Sequence, residues 1–88
     1  MSRILIISIY DMGCSFKAII LKDNKIEKTI RHQYELKEFG LYNQEYCWFD
    51  GDLITTDNEK IKQFDKIIVC VDGEIEIYIN GKFVMEDE

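Results

Sequence analysis

The chain has no proline, a single histidine, a single tryptophan and an odd three cysteines, and its longest apolar runs reach about five residues. Each shortage excludes something. The lack of proline fits a compact chain dense in strands. Runs of that length fall far short of the roughly 20 residues that span a bilayer. The first residues also lack the basic stretch and small-residue cleavage site of a signal peptide. The expected setting is therefore the cytoplasm, with no membrane association. Three cysteines, one of them (Cys70) inside a strand-like run, suit a reducing compartment better than a disulfide framework. No pair among the cysteines and His32 has C-x2-C or H-x3-H spacing, so no zinc site and no metal or other cofactor is expected.

Basic residues are also few. Eleven Lys or Arg stand against 17 Asp or Glu, for a net charge of −6. The imbalance is uneven: residues 1–40 carry seven bases and five acids, a net +2, while residues 41–88 carry four and twelve, a net −8. An acidic second half argues against direct contact with a nucleic-acid backbone, which needs clustered Lys and Arg to displace counterions. It suits the opposite relation, in which acids are presented to a basic surface of another, larger protein.

What the chain does have is strand signal. Residues 66–85, KIIVCVDGEIEIYINGKFVM, open on an unbroken apolar run, turn at Asp72-Gly73, alternate strictly from Glu74 to Ile79, turn at Asn80-Gly81 and return through Phe83 to Met85. This predicts a three-stranded antiparallel meander. The first strand should be central and covered on both faces, the second wet on one. Arg3–Tyr10 is likewise apolar on both faces, Ser15–Lys22 returns after a turn, and Ile26–Tyr34 alternates as a half-exposed third strand. The register of that third strand stays open, since a two-residue and a three-residue loop each match some apolar pairs. His32 falls on its mostly apolar face and is expected to be partly buried.

The middle reads less clearly. Glu35–Phe39, closed by Gly40, fits either a helical turn or a frayed strand end, and Leu41–Tyr46 reads as loop. Residues 46–49 and 52–55 predict a short hairpin about Asp50-Gly51. Thr56 and Glu59 then stand at capping-box spacing and predict one short α-helix over about 57–64. The whole is a single α+β domain over 1–88, mainly antiparallel, with the helix crossing between two meanders.

A two-residue turn at Asn80-Gly81 sets Ile79 opposite Lys82, Tyr78 opposite Phe83, Ile77 opposite Val84 and Glu76 opposite Met85. Ile75, Ile77, Ile79 and Val84 then form the core face. Tyr78, Phe83 and Met85, beside Glu74 and Glu76, form an apolar patch with an acidic border, the composition of a protein contact site. The competing reading is that the helix, or residues 41–49 with Tyr42, Tyr46 and Trp48, packs over that patch. The last strand, Lys82–Glu86, is a plausible sheet edge that invites self-association through the C-terminal hairpin.

Ile4–Glu27, with DMGCSFKAIILKDNKIE at its centre, resembles the opening hairpins of the ribonuclease H-like superfold, including the D-x-G-x-S/T-x-K phosphate turn of its actin-like branch. Asp11, Gly13, Ser15 and Lys17 stand at that turn's positions. The resemblance implies two-metal phosphodiester hydrolysis, with Asp11 and Asp72 as the strand acids and Glu45 or Glu59 as the helical one. Against it, the chain continues after Asp72 with strand signals where that fold enters a helix. By type alone, small acidic single-domain chains of this composition also resemble phage or mobile-element inhibitors such as anti-CRISPR and other anti-defence proteins, and toxin-neutralising immunity proteins.

The expectation is a non-enzymatic inhibitor with no catalytic residues, acting as a nucleic-acid mimic. Asp50, Asp52, Asp57, Asp72, Glu74, Glu76, Glu86, Asp87 and Glu88 would face the partner's Lys and Arg. Trp48, Tyr78, Phe83 and Met85 would supply the apolar contacts.

Overall fold

Two three-stranded meanders meet along their first strands and close into one six-stranded sheet. A computed structural model describes residues 2–11, 14–56 and 58–87, the last three of these by backbone alone. The strands are β1 (Arg3–Tyr10), β2 (Ser15–Lys22), β3 (Lys25–Ile30), β4 (Tyr42–Asn43), β5 (Trp48–Phe49), β6 (Lys66–Val71), β7 (Glu74–Ile79) and β8 (Lys82–Asp87). The sheet order is β3-β2-β1-β6-β7-β8, while β4 and β5 form a separate two-stranded ribbon. Every pairing is antiparallel except that of β1 with β6, which runs parallel from Ile4 opposite Lys66 to Ile9 opposite Val71. The two most apolar segments of the sequence are thus the two central strands. The domain is a small α+β unit, mostly antiparallel.

Three two-residue turns fix the meanders. Asp23-Asn24, Asp72-Gly73 and Asn80-Gly81 all have positive φ at both central positions, which matches the twist of the strands they join and explains why Asn, Asp and Gly occupy them. The third-strand register resolves into both alternatives in succession. Near the turn, Lys22 pairs with Lys25 and Leu21 with Ile26; past a bulge, Ile20 pairs with Lys28 and Ala18 with Ile30. Glu27 is the extra residue, so Ile26 and Ile30 project from opposite faces. Ile26 is 65% exposed and Ile30 fully buried.

Strand three is shorter than its alternation suggests. The Glu35 carboxylate accepts hydrogen bonds from the backbone amides of Arg31 (3.3 Å) and His32 (3.1 Å), which takes both out of the ladder and starts a 3-10 helix, Gln33–Phe39. Gly40, in the left-handed region at φ 75°, closes it. His32 consequently lies exposed, stacked on the Tyr34 ring at 5.5 Å, rather than partly buried.

The hairpin expected about Asp50-Gly51 is also corrected. The observed ribbon pairs Tyr42 with Phe49 and Asn43 with Trp48, so its first strand comes from the segment read as loop. Asp50 accepts from the Asp52 amide (3.0 Å) and caps a 3-10 helix, Gly51–Thr55. An Asp suits a helix start as well as a hairpin turn, and here the cap prevails. Within 57–64 the helix is the single 3-10 turn Ile61–Gln63. The Thr56 hydroxyl donates backwards to the Leu53 carbonyl (2.9 Å), while Asn58 accepts from the Lys60 amide (3.0 Å) and starts the turn instead. Asp57 lies outside the described residues.

The whole connection from β3 to β6 covers one face of the sheet. Leu36, Phe39, Leu41, Ile54, Ile61 and Phe64 pack into a single cluster with Leu5, Ile7, Ile9, Ala18, Ile20, Ile30, Ile67, Val69 and Tyr78. Phe39 and Phe64 meet edge to face at 5.4 Å, and the Arg3 guanidinium caps Phe64 at 5.3 Å.

Candidate interaction site

The second meander decides which of the expected contact residues are exposed. Ile67 pairs with Tyr78 and Val69 with Glu76, and Ile67 and Val69 are buried on the covered face. Strand alternation therefore carries Glu74, Glu76 and Tyr78 to that same face and Ile75, Ile77 and Ile79 to the other. Tyr78 is 7% exposed and belongs to the core, and its hydroxyl donates to the Glu76 carboxylate at 2.6 Å. The expected assignment of Ile75, Ile77 and Ile79 to the core face is thus reversed. The covering segment chose the face that holds Tyr78, and only three-dimensional packing settles which of two apolar faces it takes.

The edge strand holds a second correction. Ile79 pairs with Lys82 and Tyr78 with Phe83, but a register shift follows, so that Ile77 pairs with Met85, Glu76 with Glu86 and Ile75 with Asp87. Val84 is the extra residue, 52% exposed. Met85 accordingly takes a register position of the uncovered face, away from Tyr78 and Phe83. Phe83 remains beside Tyr78, edge to face at 5.7 Å, and is itself 49% exposed.

Several expected partner-binding residues do gather along the covered side of this meander. Asp72, exposed in the β6–β7 turn, shares a cleft with Trp48, Phe49 and Val71. Trp48 is 51% exposed and stacks on Tyr46 at 4.8 Å. From there Asp50, Asp52 and the rest of the 3-10 helix run beside β8 towards a depression formed by Thr55, Thr56, Asn80 and Lys82. Glu74 is exposed and Glu76 half-buried on the same side. The ladder sets Glu76 opposite Glu86. Among the described residues, ion pairs join Arg3 to Glu27, Lys28 to Glu38 and Lys62 to Glu59, and none involves Asp50, Asp52, Asp72, Glu74 or Glu76. Asp57 and Glu88 lie outside the described residues, as do the side chains of Met85, Glu86 and Asp87.

The parallel pairing of β1 with β6 puts Asp11 and Asp72 at the same end of adjacent strands, as the ribonuclease H-like resemblance implies for its strand acids. Gly13 of the phosphate turn lies outside the described residues. Glu59 precedes the Ile61–Gln63 turn, whose Gln63 bonds Arg3 at the start of β1, the opposite end of the sheet. Glu45 sits in the β4–β5 loop, where its amide is held by the Asn43 side chain at 3.0 Å. Among the described residues no three His, Cys, Asp or Glu side chains converge as metal ligands. After Asp72 the chain enters β7, an antiparallel strand, and not a helix.

The sequence reading missed the face opposite the covering segment. Ile4, Ile6, Ile19 and Leu21 from the first meander and Ile68, Cys70, Ile75 and Ile77 from the second are each only half-buried, and Ile26 and Ile79 are exposed. Ile6, Ile19 and Ile26 line a shallow depression with Ser8, Lys17 and Thr29. The signal was present in the two-faced apolarity of Arg3–Tyr10 and Lys66–Val71: both strands read as covered on both faces, and a single chain covers one. No helix among the described residues is long and apolar enough to cross a membrane. No family model matches the chain, and no curated protein or solved structure shows significant similarity to it.

Proposed function

We propose that the chain is a non-enzymatic binding protein of the phage or mobile-element inhibitor type, anti-CRISPR or otherwise anti-defence. It acts in the cytoplasm by occupying a basic, nucleic-acid-binding surface of a larger protein. The observation that carries this reading is the acidic flank of the second meander. Asp72, Glu74 and Glu76 line one side of it with no cation paired to them among the described residues, and Glu76 stands opposite Glu86 in the ladder. Acids clustered without a paired cation suit a partner that supplies the missing Lys and Arg. Exposed Trp48 and Phe83 flank the acids and offer the aromatic contacts that dominate protein interfaces.

Affinity capture from the native host, followed by kinetics on the retained protein, tests the reading. The partner should be basic, and its association should slow as salt rises. Glu74→Lys should lower the association rate several-fold. Glu76→Gln, which keeps an acceptor for the Tyr78 hydroxyl, should lower it less. A rate indifferent to salt and to both changes would remove the electrostatic basis of the proposal. A captured toxin would move the assignment to an immunity protein.

The shared end of Asp11 and Asp72 favours one alternative, a miniature metal-dependent nuclease of ribonuclease H-like type. That activity should require magnesium or manganese and disappear in both Asp11→Asn and Asp72→Asn.

A further inference from the structure

We propose that a second copy of this chain closes the open sheet face, the two six-stranded sheets stacking face to face as a sandwich. The face is large enough. Six strands at a spacing of about 4.8 Å and about six residues at about 3.3 Å give a plane of roughly 29 by 20 Å. Two such planes in contact remove roughly 1,200 Å² from water before side-chain relief is counted, the lower bound of a standard specific interface. It is also continuous, running from Ile26 at the β3 edge through Ile19, Ile6, Ile68 and Ile77 without a covering segment among the described residues.

Charge selects the occupant. In a chain with 17 acids, the regular positions of β1, β2, β6 and β7 place none on this face, and β7 sends Glu74 and Glu76 to the other side; Asp87, opposite Ile75 at the last position of edge strand β8, takes the one acidic register position of these ladders. The bases it carries are Lys17, two residues into β2, Lys66, at the start of β6, and Lys82, at the start of β8 opposite Ile79. All three lie near strand ends, where an ammonium reaches the rim while its methylenes stay on apolar surface. The rim of every copy is acidic: Asp11 and Asp72 are exposed at one end of the sheet, Asp23 and Asp65 at the other. A second copy therefore offers an isoleucine-rich centre to the centre and turn carboxylates to the lysines, the self-complementarity an isologous contact needs. Three scattered lysines are too few for a nucleic-acid backbone, and a basic partner of the acidic flank meets mainly like charge here. Stacked sheets of this kind lie about 10 Å apart, at the distance that lets opposing isoleucines interdigitate.

The acidic flank lies on the other side of the sheet, so this dimer leaves it open and stands or falls independently of the proposed function. Sedimentation equilibrium on the full chain tests it. The expected mass is twice 10.5 kDa, and Ile68→Lys or Ile77→Lys, each placing a charge at the centre of the face, should raise the dimer dissociation constant about thirtyfold or more. If either variant fails to fold by circular dichroism, Ile79→Lys, at a position already 42% exposed, should still weaken the dimer measurably. Val84→Lys on the edge strand should leave it intact. A wild-type monomer at high micromolar concentration overturns the proposal. So does a dimer that persists in the folded Ile68 and Ile77 variants, or one that dissociates with Val84→Lys and thereby reports edge pairing through β8.

Discussion

Tyr78 stands directly opposite Ile67 in the β6–β7 ladder, and both side chains are buried beneath the segment that joins the two meanders. That pairing fixes the polarity of the entire sheet. It commits Ile7, Ile20, Val69 and Tyr78 to the core and leaves Ile6, Ile19, Ile68 and Ile77 on the far side.

The pairing predicts how Tyr78 responds to substitution. Tyr78→Phe removes the hydroxyl that bonds Glu76 but keeps the ring packed on Phe83, at a cost of about 1 kcal/mol. Tyr78→Ala empties a core position and should cost about 3 to 5 kcal/mol. Urea unfolding distinguishes the two. Equal losses, or an alanine variant within 1 kcal/mol of the parent, would contradict a buried Tyr78.

The bulge at Glu27 makes neighbouring isoleucines of one strand behave oppositely. Ile30→Ala should destabilise by about 2 to 5 kcal/mol because the residue is fully enclosed. Ile26→Ala, measured at dilutions where the chain is monomeric, should stay within about 0.5 kcal/mol. In an unbroken ladder the two would share a face, and the losses would be comparable.

These contrasts show what the sequence carried and what it did not. The six long strands, their order within each meander and the three turns were legible, because period-two alternation and Asp-Gly or Asn-Gly pairs are local signals. The bulges at Glu27 and Val84 were not, since one inserted residue leaves the pattern on either side intact. The choice of covered face was hidden for a related reason: β1 and β6 are equally apolar on both sides, so nothing local distinguishes Ile67 from Ile68. The middle segment misled where one residue type serves two structures, as Asp50 does in capping a 3-10 helix at a turn-like pair. Asp72, Glu74 and Trp48 were recognisable as surface residues. Tyr78 was not recognisable as core, because its role depends on the covering segment, which is distant in sequence and joins it in one cluster.

Gly40 and Asn58 form the joint that locks the covering segment, and they should couple. The Asn58 amide donates to the Gly40 carbonyl at 3.1 Å, while its side-chain oxygen caps the Lys60 amide. Gly40 has φ 75°, and a Cβ there would run into the Asn58 side chain. Gly40→Ala should cost more than about 1 kcal/mol through both strain and clash, and Asn58→Ala about 1 to 2 kcal/mol through the lost bonds. Combined, they should cost less than the sum of the two, since removing Asn58 relieves the clash. Strict additivity in a double-mutant cycle would show that the two residues do not meet.

Alkaline pH gives a further test. The Tyr10 hydroxyl lies 3.5 Å from the Cys70 sulfur on the open face, and this hydrogen bond, with the negative charge of the ionised thiol, raises the Tyr10 pKa above its ordinary 10.0. Tyr42 is raised as well, by partial burial and then by its hydrogen bond to Cys47. A phenol whose folded pKa exceeds its unfolded value releases its proton more readily once unfolded. Its contribution to stability is therefore complete below pH 10 and is lost as the pH climbs through the folded value. Stability should fall in that window, and absorbance at the phenolate band should show Tyr10 and Tyr42 among the tyrosines that titrate late. Cys70→Ala should return Tyr10 towards the ordinary range while leaving Tyr42 late. If all tyrosines of the parent titrate together, or if Cys70→Ala shifts none of them, the Tyr10–Cys70 contact is not present in solution.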